Sequence, residues 1–277
     1  MYSVTEVKFL CKKYGITPMR ERGQHFLIDQ SVLRTIIQSA HLSPHDRVLE
    51  VGAGFGQLTL ALLDAGAQVW AVESDAKFMS ALQKIQTQHA PHTSASHLTL
   101  IHKDIRKLNI SELVNESHYT VVSNLPYNIT SWFLRMMLEQ KNKPISMTLL
   151  LQKDVAERIV AQPGHMSLLA LSVQYYARPK IIRIVSKASF WPKPEVDSAI
   201  IHFANIHELN FAYEKKLFQI ARIAFAGKRK QLCNSLSAGL QKNKNEITAI
   251  LKSVHIKPTQ RPQELSLQQW KLLAENL

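Results

Sequence analysis

Arg47-Val48-Leu49-Glu50-Val51-Gly52-Ala53-Gly54-Phe55-Gly56 sets a short apolar run against a glycine loop, and the residues after it, 57–65, have helical spacing. Arg47–Val51 reads as a strand. The loop's small residues let the backbone turn sharply and approach a ligand closely. Downstream the pattern alternates: strand 68–72, helix Ala76–His89, a loop at 90–97 and strand Leu98–His102. Strand 120–123, helix Thr130–Glu139 and strand 146–151 follow. This order predicts an α/β fold, a doubly wound, mostly parallel sheet with helices on both faces. Right-handed crossovers put the strand C-termini on one edge, where such folds bind ligands.

Upstream, residues 1–29 form a basic lead-in ending in Gln24-His25-Phe26-Leu27, after which Asp29 caps a helix over 31–42. Downstream lie helices at 154–160 and Leu168–Tyr176, then strands at 181–185 and 198–203, an antiparallel extension of the sheet. From Glu208 the chain reads as helical. The expected domains are therefore 1–207 and a small all-helical 208–277.

The chain has 277 residues, 45% of them hydrophobic, which suits a packed core rather than disorder. No apolar run approaches the ~20 residues that span a bilayer, and the first 15 residues lack a secretory apolar region. Cys11 and Cys233 are far apart without metal-like spacing, so a reducing, cytoplasmic setting and no metal are expected. Net charge is +13 and lopsided: residues 1–140 carry 13 Lys/Arg against 12 Asp/Glu, and residues 141–277 carry 21 against 9. A near-neutral first half and a basic second half suggest catalysis in one and polyanion binding in the other. Lys228-Arg229-Lys230, with Arg222 just before, are the candidate phosphate contacts. A solvated helix face is the plainer account of that cluster.

Three acids fall in register at strand ends. Glu73 ends the second strand, where a carboxylate can accept from ribose hydroxyls, and Asp104 follows the third, placed to accept from an adenine amino group. Each alone is as readily a helix N-cap. The glycine spacing is G-x-G-x-G, not the G-x-G-x-x-G of dinucleotide sites. Acidic Glu50 beside the loop suits a cation better than a pyrophosphate, which favours the sulfonium of S-adenosylmethionine over a nicotinamide cofactor.

Asn124-Leu125-Pro126-Tyr127 closes the strand at 120–123. An amide oxygen and a main-chain carbonyl there can accept from an exocyclic amino group. Pro126 fixes the backbone, and Tyr127 offers a ring on which a base can stack.

Four segments in order carry a resemblance: Gly23-Gln24-His25-Phe26-Leu27, then Glu50-Val51-Gly52-Ala53-Gly54, then Asn124-Leu125-Pro126-Tyr127-Asn128-Ile129, then Ser189-Phe190-x-Pro192-x-Pro194-x-Val196-Asp197-Ser198. Together they resemble the rRNA adenine N6,N6-dimethyltransferases, in particular their small-subunit methyltransferase A branch, from about residue 20 to 240. The resemblance implies a Rossmann-like class I methyltransferase domain whose segment 1–29 covers the cofactor. It implies S-adenosylmethionine held by Gln24, His25, Leu27, Glu50, Gly52, Gly54, Glu73, Asp104 and Asn124. The target adenine would lie between Tyr127 and Phe190, with its amino group on Asn124 and the Leu125 carbonyl. The implied substrate is 16S rRNA of the small ribosomal subunit, at two adjacent adenosines in a hairpin loop near the 3′ end, with a role in subunit biogenesis and a monomeric enzyme. A large-subunit resistance methylase, a DNA adenine methylase, or a non-catalytic assembly or transcription factor on the same fold are the alternatives. The chain departs from the pattern at Arg22 and His25, where an apolar residue and Asn are usual. It departs also at Ala53, where Pro is usual, and over Met166-Ser167-Leu168-Leu169-Ala170.

Overall fold

The computed structural model describes residues 2–19, 23–89, 97–114, 118–206, 212–227 and 229–277. They pack as two compact units, the first made of 1–156 with 179–206 and the second of 157–178 with 207–277. The second unit thus takes in residues 157–178, which the sequence reading leaves in the first.

The first unit opens with helix α1 (Val4–Tyr14), the two-residue strand β1 (Phe26–Leu27) and α2 (Gln30–Ala40). There follow β2 (Arg47–Val51), α3 (Gln57–Asp64), β3 (Gln68–Glu73), α4 (Ala76–His89), β4 (Leu98–His102), α5 (Ile110–Val114), β5 (Thr120–Asn124), α6 (Thr130–Glu139), β6 (Ser146–Gln152) and α7 (Lys153–Ile159). After α8 (Leu168–Tyr176) the chain adds β7 (Arg178–Val185), β8 (Phe190–Trp191) and β9 (Ser198–Ala204). The main sheet has the order β4-β3-β2-β5-β6-β9-β7. Its first five strands are parallel, and β9 joins β6 antiparallel, pairing Leu150 with Ile200. Central strands are buried on both faces, as a parallel sheet between helix layers requires: Val48, Leu49, Val121 and Val122 are wholly enclosed. From β2 the chain runs outward to β3 and β4, then returns to β5 on the other side of β2. The doubly wound prediction holds, and the switch point lies between β2 and β5, the position that opens a crevice at the strand C-termini.

Two elements were not foreseen. Inside the basic lead-in, α1 is a capped helix. The Ser3 hydroxyl accepts from Glu6 N–H and the Glu6 carboxylate from Ser3 N–H, while Gly15 ends it at φ 62°. Its inner face, Val7 and Cys11, packs with Phe55, Phe78 and Ala81. The second is a separate two-stranded sheet in which β1 pairs antiparallel with β8, Phe26 opposite Trp191 and Leu27 opposite Phe190.

The second unit is helical: α8, then α9 (Glu214–Ala226), α10 (Leu232–Leu240), α11 (Lys244–Ser253) and α12 (Leu267–Asn276). Its core includes the fully buried Trp270, whose ring lies 5.6 Å from that of Phe225. Tyr176 donates to the Glu214 carboxylate at 2.6 Å and fastens α8 to the start of α9. No helix among the described residues is long and apolar enough to cross a membrane.

Candidate active site

The end of β2 needs glycine for a steric reason. Gly52 sits at φ 77°, and a Cβ there would meet Pro126 Cδ at 3.2 Å and Cγ at 3.3 Å. Only a bare backbone lets the loop after β2 lie so close to the turn after β5. Gly52 N–H donates to the Val72 carbonyl at 2.8 Å, and the Ser123 hydroxyl donates to the Val51 carbonyl at 2.7 Å, which locks three strand ends together. Ala53 N–H also reaches the Val72 carbonyl, at 3.4 Å. The proline usual at this position in the resembled family has no N–H to make that bond.

Above these strand ends is a cavity of about 590 Å³, within the range of small-molecule and cofactor sites. Its walls include Gln24, His25, Leu27, Glu50, Gly52, Gly54, Glu73, Asp104 and Asn124, so every cofactor residue inferred from sequence reaches one space. Pro126 lines it too; Leu125, Tyr127 and Phe190 do not.

The acids differ in environment. Glu50 is buried, with Thr59 donating to it at 2.5 Å, and burial pushes its carboxyl up to about 8 against that bond, with Glu73 adding repulsion. Glu73 accepts from the N–H groups of Gly54 (2.9 Å), Ser74 (2.8 Å) and Asp75 (2.9 Å), yet burial still raises its pKa. A carboxylate offers about four lone-pair directions, so one remains for a ligand hydroxyl rather than two. Two desolvated carboxylates in one wall are costly unless a cation joins them. A sulfonium with its α-ammonium meets that need.

Asp104 is otherwise engaged. It caps a 3₁₀ turn at Ile105–Lys107 through Arg106 N–H and receives the Arg106 guanidinium on both oxygens, at 2.6 to 3.1 Å. Hydrogen bonds from Arg106 hold its carboxyl below the usual carboxylate range. Both readings of this residue, N-cap and cavity wall, are thus present at once. Sequence reasoning missed Arg106, although the Asp-x-Arg spacing is visible in the chain.

The turn after β5 brings the other group together. Leu125 is buried and its N–H donates to the Leu150 carbonyl at 3.1 Å, extending the β5–β6 ladder by one residue. Pro126 then starts a 3₁₀ turn at Tyr127–Ile129. Asn124 Nδ2 donates to the His25 carbonyl at 3.4 Å, leaving the amide oxygen as an acceptor at the cavity wall. The Tyr127 ring lies 5.7 Å from that of His25, tilted 28°, and its hydroxyl shares a 2.7 Å hydrogen bond with Ser198. His25 Nδ1 contacts the Pro192 carbonyl at 2.7 Å. Gly23, at φ 68°, lies against this turn so tightly that a Cβ would come within 2.9 Å of Tyr127 N.

Phe190 is 3% exposed and belongs to the main core cluster with Leu33, Ile36 and Leu27. In this conformation it packs as a core aromatic, the plainer of the two readings its sequence allows. A role as a stacking face requires β8 to shift. Gln24 uses its side-chain oxygen locally, accepting from Met19 N–H at 2.8 Å.

In the helical unit, Arg222, Arg229 and Lys230 are exposed, the last two in the turn after α9 that Lys230 N–H closes onto the Gly227 carbonyl at 2.8 Å. Lys228 and Arg22 lie outside the described residues. In the departing stretch 166–170, Met166 is buried and the Ser167 hydroxyl caps α8 by accepting from Ala170 N–H at 3.1 Å.

Comparison with known proteins agrees with this geometry. The family model described as ribosomal RNA adenine dimethylase matches residues 19–275. Ribosomal RNA small subunit methyltransferase A of Dehalococcoides mccartyi is 39% identical over 273 residues, 98% of this chain and 92% of that protein. The protein of the same name from Clostridium botulinum is 37% identical over 97% of each chain. Among solved structures, 23S rRNA methyltransferase ErmE superposes with a TM-score of 0.73 at 25% identity, covering 91% of this chain and 99% of its own. A dimethyladenosine transferase from Plasmodium falciparum gives 0.74 at 23% identity over 90% and 96%, which bears on the fold. Identity over nearly the full length, with the methyltransferase sheet and the cavity at its switch point, leads to one assignment: the chain belongs to the ribosomal RNA adenine dimethylase family, whose methyl donor is S-adenosylmethionine.

Proposed function

We propose that this chain transfers methyl groups to N6 of adenosines in small-subunit rRNA, giving N6,N6-dimethyladenosine. The carrying observation is the Asn124 amide oxygen at the cavity wall, on the turn that Pro126 presses against Gly52. The two relatives named as small-subunit enzymes, at 39% and 37% identity, favour that subunit over the large one. The family resemblance implies two adjacent adenosines in a hairpin loop near the 3′ end as the target, and action during subunit assembly by a cytoplasmic monomer. Arg222, Lys228, Arg229 and Lys230 are the phosphate contacts in this reading, which position RNA without reading its sequence.

S-adenosylmethionine supplies a methyl already activated by its sulfonium, so the chain provides no covalent nucleophile. Glu50 and Glu73 would hold the donor's positive charge and ribose, and Asp104 its adenine. The target nitrogen needs more help, because the N6 lone pair is delocalised into the ring. Hydrogen bonds from N6–H2 to Asn124 Oδ1 and the Leu125 carbonyl turn that lone pair toward the methyl carbon. They also stabilise positive charge as the N–C bond forms and the S–C bond breaks. Holding donor and acceptor in line contributes the rest. The methylated nitrogen then loses its proton to solvent, and Tyr127 gives the splayed adenine a face to stack on.

Tritium transfer from labelled cofactor to purified small subunits, large subunits and DNA tests the reading. Label in small subunits, lost in Asn124→Ala while RNA binding persists, is the expected result. Label only in large subunits or DNA, or an unchanged rate in Asn124→Ala, would refute it.

A further inference from the structure

Helix α1 turns Lys8, Phe9, Lys12 and Lys13 outward on one face. Phe9 is 63% exposed, the highest value for a large apolar side chain among the described residues. The face extends onto α4, which packs against α1 and presents Lys77 and Lys84. Aromatic rings are interleaved with these cations. Lys13 lies 6.0 Å from the Phe9 ring centre and 5.5 Å from that of Tyr14, Lys84 lies 5.5 Å from Tyr14, and Lys8 lies 5.8 Å from Trp191. Trp191 follows Phe190, so the patch runs up to the segment that carries the second candidate stacking residue. The nearby acids are used elsewhere. Glu6 closes the α1 capping box at 2.6 Å, and Asp75 accepts from Lys77 N–H at 2.9 Å. No ion pair to Lys8, Lys12 or Lys13 forms among the described residues.

Exposed cations set among one exposed ring, Phe9, and two half-buried ones, Tyr14 and Trp191, suit a phosphate backbone carrying bases that can stack. They suit a lipid surface poorly, because insertion needs a broad apolar helix face, and the apolar face of α1 is already buried with Phe55 and Phe78. We infer that the Lys8, Phe9, Lys12 and Lys13 face of α1 is an RNA-contact surface on the catalytic unit, separate from the basic residues of the helical unit. Lysines hold phosphates there, and Phe9 stacks on an unpaired base. The inference rests on the reading of rRNA as substrate.

The test uses the full chain, small ribosomal subunits lacking dimethyladenosine, and filter binding between 50 and 300 mM KCl. Lys12→Ala with Lys13→Ala should reduce the slope of log affinity against log salt by about 1.4 to 1.8, at roughly 0.7 to 0.9 per phosphate contact. Extrapolated from a common value at 1 M salt, that is a loss of about 20-fold at 0.15 M. Phe9→Ala should lower affinity about fivefold or more with the slope unchanged. In both variants the melting temperature and calorimetric affinity for S-adenosylmethionine should match the parent, and methyl transfer should lose KM rather than kcat. A double variant with parental slope and affinity overturns the inference. So does one that loses only its binding to anionic lipid vesicles. A parent chain that neither binds nor methylates small subunits refutes the substrate reading instead.

Discussion

Replacing Glu50 with Gln removes a charge that the fold holds at a disadvantage, and the size of that disadvantage follows from its surroundings. The carboxyl is buried and pushed up from 4.5 to about 8, mainly by loss of water. Below about pH 4.5 both the folded and the unfolded chain carry the proton, and the contribution of Glu50 to stability is fully present. As pH rises, the unfolded chain ionises first, so stability falls by about 1.4 kcal/mol per pH unit until the folded carboxyl also ionises near pH 8. The total is about 5 kcal/mol, which for a domain of this size corresponds to some 10–20 °C in Tm. Glu50→Gln keeps the uncharged shape and the place beside Thr59. Its Tm should match the parent near pH 5 and exceed it progressively toward pH 8.5. S-adenosylmethionine should reverse the order, because its positive charge favours ionised Glu50. Its binding to the parent should release close to one proton at pH 7, measured by calorimetry in buffers of different ionisation enthalpy, and none in the variant. Parallel Tm curves from pH 5 to 8.5 would refute the reasoning.

Gly23→Ala places a Cβ 2.9 Å from Tyr127 N at a residue with φ 68°. The left-handed backbone alone costs about 1–2 kcal/mol, and the methyl also pushes the segment off the catalytic turn. Melting should drop by several degrees and methyl transfer by tenfold or more, whereas parental kcat would mean that this close approach is incidental. Arg106→Ala frees both oxygens of Asp104, so affinity for S-adenosylmethionine should rise by about two- to fivefold, the range of an exposed ion pair. Affinity for its 6-oxo analogue, which lacks the amino group, should stay the same. Weaker binding of both ligands would show that Arg106 holds the cofactor rather than competing with it.

The parallel core was legible because buried strands are continuous apolar runs, and β2, α4, β4 and α6 begin and end where the pattern changes. The cavity was legible for a related reason: side chains at successive strand ends share an edge in a doubly wound sheet, whatever their distance in sequence. Helix α1 was hidden by its lysines, which read as a charged lead-in, although Ser3-x-x-Glu6 and Gly15 marked both its ends. The β1–β8 sheet joins residues 26–27 to 190–191, and two residues have no periodicity to detect. The burial of Phe190 follows from that pairing. What engages Asp104 was local and missed for another reason: its position at a strand end favoured a ligand role over the arginine two residues on.

Three bonds and a strand pair fasten residues 25–29 to residues 189–192. Leu27 pairs with Phe190, His25 reaches the Pro192 carbonyl, Ile28 N–H donates to the Ser189 carbonyl and Asp29 accepts from the Ser189 hydroxyl. The two segments are therefore one inheritable part, although more than 150 residues separate them. Exchanging 189–198 alone with a relative would leave the histidine, the two strand residues and the aspartate facing foreign partners. A chimera designed to alter target choice must carry residues 23–29 with the loop, and a natural change in one segment selects for compensation in the other.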